Sequence, residues 1–295
     1  FVASTHDYIL FFTSVGKVYR LKVHELPLGS RQSKGRAIVN LLPFRQDEYV
    51  RAVIATRNFE EAKYLVFATR KGIVKKTAFG VYNTPLKADG IIAIKLRDDD
   101  QLVGVRLAGE DDDILMVSRL GQAVRFHGRQ VRAMGRDTSG VAGMKLRSDD
   151  EVIEVDIASD DADLLVVTEN GYGKRTRVSD YPAKGRGTMG VKTAQLVEGK
   201  GRLAGARIVR DGYQVMLISD GGTVIRIPVD GIRQMGRSTQ GVIVMRLRED
   251  EKVATLAPVV GADAELAVEV EEATTDGEPA ATDGEVAATD GGPTA

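Results

Sequence analysis

The chain has 295 residues, enough to bury a sizeable core as one large repeat domain or two ordinary ones. It holds no cysteine, which excludes disulfides and thiolate metal sites and fits a reducing cytoplasm. No apolar run approaches a membrane span and no signal-peptide pattern is present, so no membrane partner is expected.

Glycine is abundant at 32 residues, tryptophan is absent, and short runs rich in Val, Ile and Leu alternate with turn residues, which predicts an all-β fold. The runs recur with a period near fifty. The first unit, residues 8–57, opens with Leu10-Phe11-Phe12, then Thr13, a turn glycine at Gly16 and a base at Arg20. A basic loop, Gly29–Gly35, follows with Arg31 and Lys34, and Arg36 stands just beyond it. The second unit, 63–109, repeats the order with Leu65-Val66-Phe67, Thr69, Gly72 and the pair Lys75-Lys76. Its second glycine, Gly90, has Leu86 where the other loops carry Arg, with only Lys87 and Lys95 nearby.

The third unit, 113–159, gives Leu115-Met116-Val117, Ser118, Gly121 and Arg125, then the loop Gly135–Gly140 with Arg136. A strand-like run Val141–Leu146, an acidic turn Ser148-Asp149-Asp150 and another strand, Val152–Ile157, complete it. The fourth, 163–210, gives Leu164-Leu165-Val166, Thr168, Gly171 and Lys174-Arg175, then Lys184, the loop Gly185–Gly190 and its Arg186. The fifth, 213–258, gives Met216-Leu217-Ile218, Ser219, Gly222 and Arg226, then the loop Gly236–Gly241 with Arg237. From 261 to 295 the chain is an acidic low-complexity tail, expected to be disordered apart from one short helical pattern at Ala264–Ala273.

Each unit reads as a β-hairpin whose glycine supplies the positive φ of a tight turn; Asn170-Gly171 is the dipeptide favoured at type I′ turns. A lone hairpin buries too little surface, so the units are expected to pack around an axis as a propeller-like ring. Residues 1–260 carry 41 Lys and Arg against 32 Asp and Glu, a net of +9, while the tail adds ten acids and no base. A basic body with an acidic tail points to a polyanion partner and a tail that competes for it; a merely solubilising tail is the alternative. The strand base recurs in five units and the loop Arg in four, a string of positive charge suited to the phosphates of duplex DNA. The strand bases are expected at the outer strand end, beyond the core. Few aromatics flank these bases, so stacking on single strands is not expected.

The acidic turns, Asp98–Asp100, Asp149–Glu151 and Glu249–Glu251, are expected to be solvated tips because no calcium-loop spacing is met. Gly185–Gly190 matches G-x-G-x-x-G, but the following Val191–Leu196 reads as strand where a dinucleotide site needs a helix. His6, His24 and His127 are scattered and form no metal or nucleophile grouping.

Phe1-Val-Ala-Ser-Thr-His-Asp-Tyr8, Gly72-Ile-Val-Lys-Lys76, Met134-Gly-Arg-Asp-Thr-Ser-Gly140 and Tyr181-Pro-Ala-Lys-Gly-Arg-Gly187 resemble the C-terminal domain of DNA gyrase A. The resemblance covers residues 1–258. It implies a β-pinwheel, here five complete blades with Phe1–Ser4 as the remnant of a first, sixth blade. It further implies a non-catalytic domain that wraps duplex DNA with little sequence specificity so that the intact topoisomerase introduces negative supercoils. The implied partners are the rest of DNA gyrase A, and DNA gyrase B, in a cytoplasmic, chromosome-associated complex. No cofactor is implied in this stretch; ATP and magnesium belong to other parts of such an enzyme. The family's glutamine-arginine-glycine-rich box is not present, and Lys184–Gly190 is similar to a degenerate copy. The corresponding domain of topoisomerase IV and a protein-docking propeller are the alternatives.

Overall fold

A computed structural model describes residues 3–30, 32–85, 87 and 89–259. Arg31, Leu86, the acidic tail from 261 and the helical pattern at Ala264–Ala273 lie outside the described residues. Ala3 and Ser4 form no strand, and Phe1 and Val2 are likewise outside.

The described residues are all-β, joined by short 3₁₀ turns. The first unit gives β1 (Tyr8–Thr13), β2 (Lys17–Lys22) and β3 (Val50–Thr56); the second gives β4 (Tyr64–Thr69), β5 (Ile73–Ala78), β6 (Ile91–Ile92) and β7 (Leu102–Ala108). The third gives β8 (Asp113–Ser118), β9 (Gln122–His127), β10 (Val141–Ala142) and β11 (Val152–Ala158). The fourth gives β12 (Asp163–Thr168), β13 (Tyr172–Arg177), β14 (Val191–Lys192) and β15 (Leu203–Val209). The fifth gives β16 (Gln214–Ser219), β17 (Val224–Pro228), β18 (Val242–Ile243) and β19 (Val253–Val259).

The sheets are β3-β1-β2-β6, β7-β4-β5-β10, β11-β8-β9-β14, β15-β12-β13-β18 and β19-β16-β17. In the first four, the outermost strand comes from the following unit. The fifth sheet has three strands, and β17 is its edge. The innermost strands β3, β7, β11, β15 and β19 pack side by side in that order, giving five blades of a propeller-like ring.

The core lies between blades. Leu10 and Phe12 of the first blade meet Leu65 and Phe67 of the second. Val66 and Ala68 meet Ile114 and Met116, Leu115 and Val117 meet Leu164 and Val166, and Leu165 and Val167 meet Val215 and Leu217. Both faces of β4, β8 and β12 are therefore buried, which is why these strands read as unbroken apolar runs instead of alternating ones. The outer face of the first blade, Ile9 and Phe11, is covered by its own long loop through Ile38, Leu41, Leu42 and Phe44. Met216 and Ile218, on the face of the fifth blade turned away from the fourth, stay half exposed.

The exchanged segment explains the turn glycine. Gly171 has φ of 80°, and its carbonyl accepts the Val244 and Met245 amides at 2.9 and 3.1 Å. A Cβ there would stand 2.1 Å from the Met245 carbonyl oxygen. Gly222 has φ of 83° but nothing within 4 Å of a Cβ, because among the described residues no exchanged segment pairs with β17.

The repeated hydroxyl has a partner too. Thr13, Thr69 and Ser118 donate to Glu48, Asp100 and Asp150 at 2.6, 2.6 and 2.7 Å. Asp98, Asp99, Asp149, Glu249 and Asp250 are exposed, as expected of solvated tips, but Glu48 and Asp100 are buried and Asp150 half-buried, so this acid is a tie to the central strand. The acid before it, Asp47, Asp99, Asp149 or Asp250, takes the left-handed backbone that Asp tolerates.

Candidate nucleic-acid interface

The bases at the strand ends do not line a rim. Lys76 is buried, and its Nζ donates to the Gly128 carbonyl of the next unit at 2.9 Å while lying over the Tyr64 ring. Arg125 donates to Asp113 at 2.7 Å, Asp160 at 2.6 Å and the Val178 carbonyl at 3.3 Å. Arg175 repeats this with Asp163 at 3.1 Å, Asp211 at 2.6 Å and the Ile232 carbonyl at 2.8 Å. Arg20 donates to the Thr84 carbonyl at 2.6 Å and stacks over Tyr8. Lys75 and Lys174 are buried with Nζ on backbone carbonyls. For these six the expectation from sequence is corrected: they join one blade to the next, and burying a cation requires such full pairing. Arg226 alone among the five strand bases is exposed, with no side-chain hydrogen bond or ion pair among the described residues.

The basic loops are different. Those of the third, fourth and fifth units lead into β10, β14 and β18, the outermost strands of the preceding blades, so sheet order places them on the perimeter; Gly29–Gly35 leads instead through a 3₁₀ turn to β3, the innermost strand of its own blade. All four share one internal hydrogen bond: Ser33, Thr138, Thr188 and Thr239 hydroxyls donate to the carbonyls of Ser30, Gly135, Gly185 and Gly236 at 2.6, 2.8, 3.0 and 2.8 Å. Lys34, Arg36 and Lys184 are exposed; Arg136 and Arg237 are half exposed with no side-chain hydrogen bond or ion pair among the described residues. Arg186 is exposed but partly committed, its Nε on the Gln130 carbonyl at 2.9 Å and its Nη1 on the Ala142 carbonyl at 3.0 Å.

A further set of cations was not foreseen from the sequence, apart from Lys95, noted there only as a base near Gly90. Lys95-Leu96-Arg97, Lys145-Leu146-Arg147 and Arg246-Leu247-Arg248 each half-bury the leucine and expose both flanking bases, which carry no ion pair among the described residues. Each begins five residues after a unit's second glycine, a spacing that was available but lay inside runs expected to be strands; only Val141–Ala142 of Val141–Leu146 is one. These bases adjoin the loops. The Lys95 amide donates to the Thr138 carbonyl at 3.1 Å and the Lys145 amide to the Thr188 carbonyl at 2.9 Å. Blade border by blade border, cations thus collect on the perimeter. The acids concentrate on and beside the innermost strands, where Arg106 pairs with Glu154 and Asp156 at 2.7 and 3.2 Å and Arg119 with Glu151 and Glu169 at 2.6 and 2.5 Å. No helix among the described residues is long and apolar enough to cross a membrane.

Five hairpin blades, four of them closed by a strand from the next repeat, make this a strand-exchanging β-propeller with a basic perimeter. A family model described as "DNA gyrase C-terminal domain, beta-propeller" matches residues 7–57, 63–108, 112–159, 162–210 and 213–259, and the chain belongs to that family. The chain is 45% identical over 274 residues to DNA gyrase A of Clostridium acetobutylicum, covering 93% of this chain and 33% of that protein. It is 44% identical over 276 residues to DNA gyrase A of Escherichia coli, covering 94% of this chain and 31% of that protein. It therefore spans about a third of the length of these relatives. Among solved structures, a C-terminal domain of DNA topoisomerase IV is similar with a TM-score of 0.82 at 28% identity, covering 91% of this chain and 84% of that one. A DNA gyrase A C-terminal domain is similar with a TM-score of 0.75 at 25% identity, covering 88% and 84%.

Proposed function

We propose that this domain binds duplex DNA along its perimeter and bends it around the ring, performing no chemistry itself. The observation that carries the reading is the recurrence of exposed cations without acidic partners at successive blade borders: Arg136 with Lys95 and Arg97, Lys184 with Lys145 and Arg147, and Arg237 on the loop of the fifth unit. Phosphate contacts of this type release counterions and position a duplex without reading its sequence. A line of them on a convex rim offsets the cost of bending the duplex.

The relatives carry the name of DNA gyrase A, and on that basis the wrapped segment serves negative supercoiling by an enzyme whose cleavage and ATP-driven steps reside elsewhere. Its partners are then DNA, the remainder of DNA gyrase A, and DNA gyrase B, at the chromosome in the cytoplasm. The test is topological. Circular DNA is relaxed while the domain is bound, and the sign of the linking-number change is read after deproteinisation. A shift of one consistent, positive sign supports wrapping; binding that leaves linking number unchanged reduces the domain to a DNA-binding module.

A further inference from the structure

Two of the basic loops are gripped from the blade behind them. Lys75, on β5, donates to the Ala93 carbonyl at 2.7 Å and to the carbonyl of Arg136 at 2.5 Å. Lys174, on β13, donates to the carbonyls of Gly236 and Arg237 at 2.6 and 2.7 Å and to the Thr239 hydroxyl at 3.1 Å. Both lysines are essentially fully buried. In each case the ammonium holds the main chain of the loop arginine, whose guanidinium makes no hydrogen bond or ion pair among the described residues; that of Arg237 lies 6.0 Å from the Tyr181 ring centroid.

The loop between them is held in another way. The residue equivalent to Lys75 and Lys174 in β9 is Val124. There the loop 184–190 is held by Gln130, which accepts from the Arg186 amide at 2.9 Å and donates to the Lys184 carbonyl at 3.3 Å. Arg186 spends its own Nε and Nη1 on the Gln130 and Ala142 carbonyls. Where a buried lysine grips the loop, the arginine is free; where none does, the arginine grips the loop itself.

We propose that Lys75 and Lys174 are positioning residues: by clamping the backbone of the following blade's loop, they release Arg136 and Arg237 for phosphate and fix where each guanidinium stands. This rests on the reading of the loops as DNA contacts. The clamp has a pH signature. Burial lowers Lys75 to about 7 and Lys174 to about 8. The charged or titratable groups facing Lys75 are Asp137, Arg136 and Tyr82, whose hydroxyl shares the Ala93 carbonyl; Arg237 faces Lys174. Both amines sit below the ordinary 10.5, so the unfolded chain binds more protons from about 7 or 8 up to 10.5, and this contribution to stability rises with pH. The grip on the loop moves the other way, losing its charge as pH rises through the same values.

The experiment uses the 295-residue chain, with Lys174→Met, Arg237→Ala, the double variant of these two and Arg136→Ala, and measures affinity for a short duplex, amide exchange and thermal unfolding. Lys174→Met is expected to retain or raise the melting temperature, to speed exchange of the 236–241 amides, and to weaken DNA binding by up to the roughly eightfold expected for losing one phosphate contact near 0.1 M salt. The double variant is expected to bind no more weakly than Arg237→Ala. Wild-type affinity is expected to fall between pH 6.5 and 9 more steeply than that of Lys174→Met. Unchanged exchange in 236–241 overturns the clamp. Faster exchange, with Arg237→Ala weakening DNA binding and Lys174→Met not, overturns the positioning role alone. If Arg237→Ala and Arg136→Ala both leave binding unchanged, the reading of the loops as DNA contacts falls, and the positioning role with it.

Discussion

Replacing Lys145 and Arg147 by Ala separates a perimeter interface from a string of strand bases. Both side chains are exposed beside the 184–190 loop and carry no ion pair among the described residues, so their loss leaves the core and blade borders intact. If each neutralises one phosphate, each contributes about 0.9 to the slope of log affinity against log salt, or roughly eightfold in affinity near 0.1 M salt. The pair is then worth about sixtyfold at that salt, the slope flattens by about 1.8, and the curves converge as salt approaches about 1 M. Arg125→Ala is the control. Its guanidinium spans Asp113 and Asp160 at 2.7 and 2.6 Å, and removing it strands the half-buried Asp113 carboxylate. That costs about 2 kcal/mol of stability, a fall of roughly 4–8 °C in melting temperature for a domain of this size, with the salt slope unchanged. Fluorescence anisotropy of a labelled duplex over a salt series, with thermal melts of each variant, reads both. A flattened slope in Arg125→Ala with an unaltered one in the double variant would refute the reasoning.

The wild-type domain itself is expected to bind with a slope of about −5 to −9, corresponding to roughly six to ten phosphates; a slope near zero in the same titration removes the DNA reading. Gly171→Ala is expected to lower urea stability by about 3 kcal/mol or more, since φ strain adds to the 2.1 Å approach of Met245, whereas Gly222→Ala carries only the roughly 1–2 kcal/mol of strain; equal midpoints for the two variants contradict this. Glu154→Gln leaves Arg106 and Arg207 without their shared carboxylate at the innermost strands and is expected to cost about 3 kcal/mol in urea unfolding. Deleting residues 261–295 removes ten acids, and duplex affinity at low salt is expected to tighten if the tail competes with phosphate; unchanged affinity leaves it as a solubiliser.

The hairpins and the turn glycines were legible because each leaves its mark within about twenty residues, and the period because the same marks recur five times. The strand exchange was not, since β6, β10, β14 and β18 are two residues each and pair with chain far upstream. The same distance misled the reading of the strand bases. Arg175 looks alike whether it faces water or Asp211 and the Ile232 carbonyl, because its partners stand 36 and 57 residues along. The loop arginines were legible as a motif, and what separates Arg136 and Arg237 from Arg186 was not, for it depends on a lysine in the neighbouring blade. Arg97, Lys145 and Arg147 were hidden inside runs whose apolar residues suggested strand.

Borrowing the outermost strand from the next repeat sets an order of assembly. On the ribosome, the hairpin of β4 and β5 is complete at Ala78, yet its sheet waits for Val141 and Ala142. Until that stretch emerges, β5 shows a bare hydrogen-bonding edge, the feature that invites pairing with a foreign chain. Each repeat therefore finishes the one before it while leaving its own edge unfinished. A translation product interrupted between a hairpin and the exchanged segment that completes its sheet ends on such an edge.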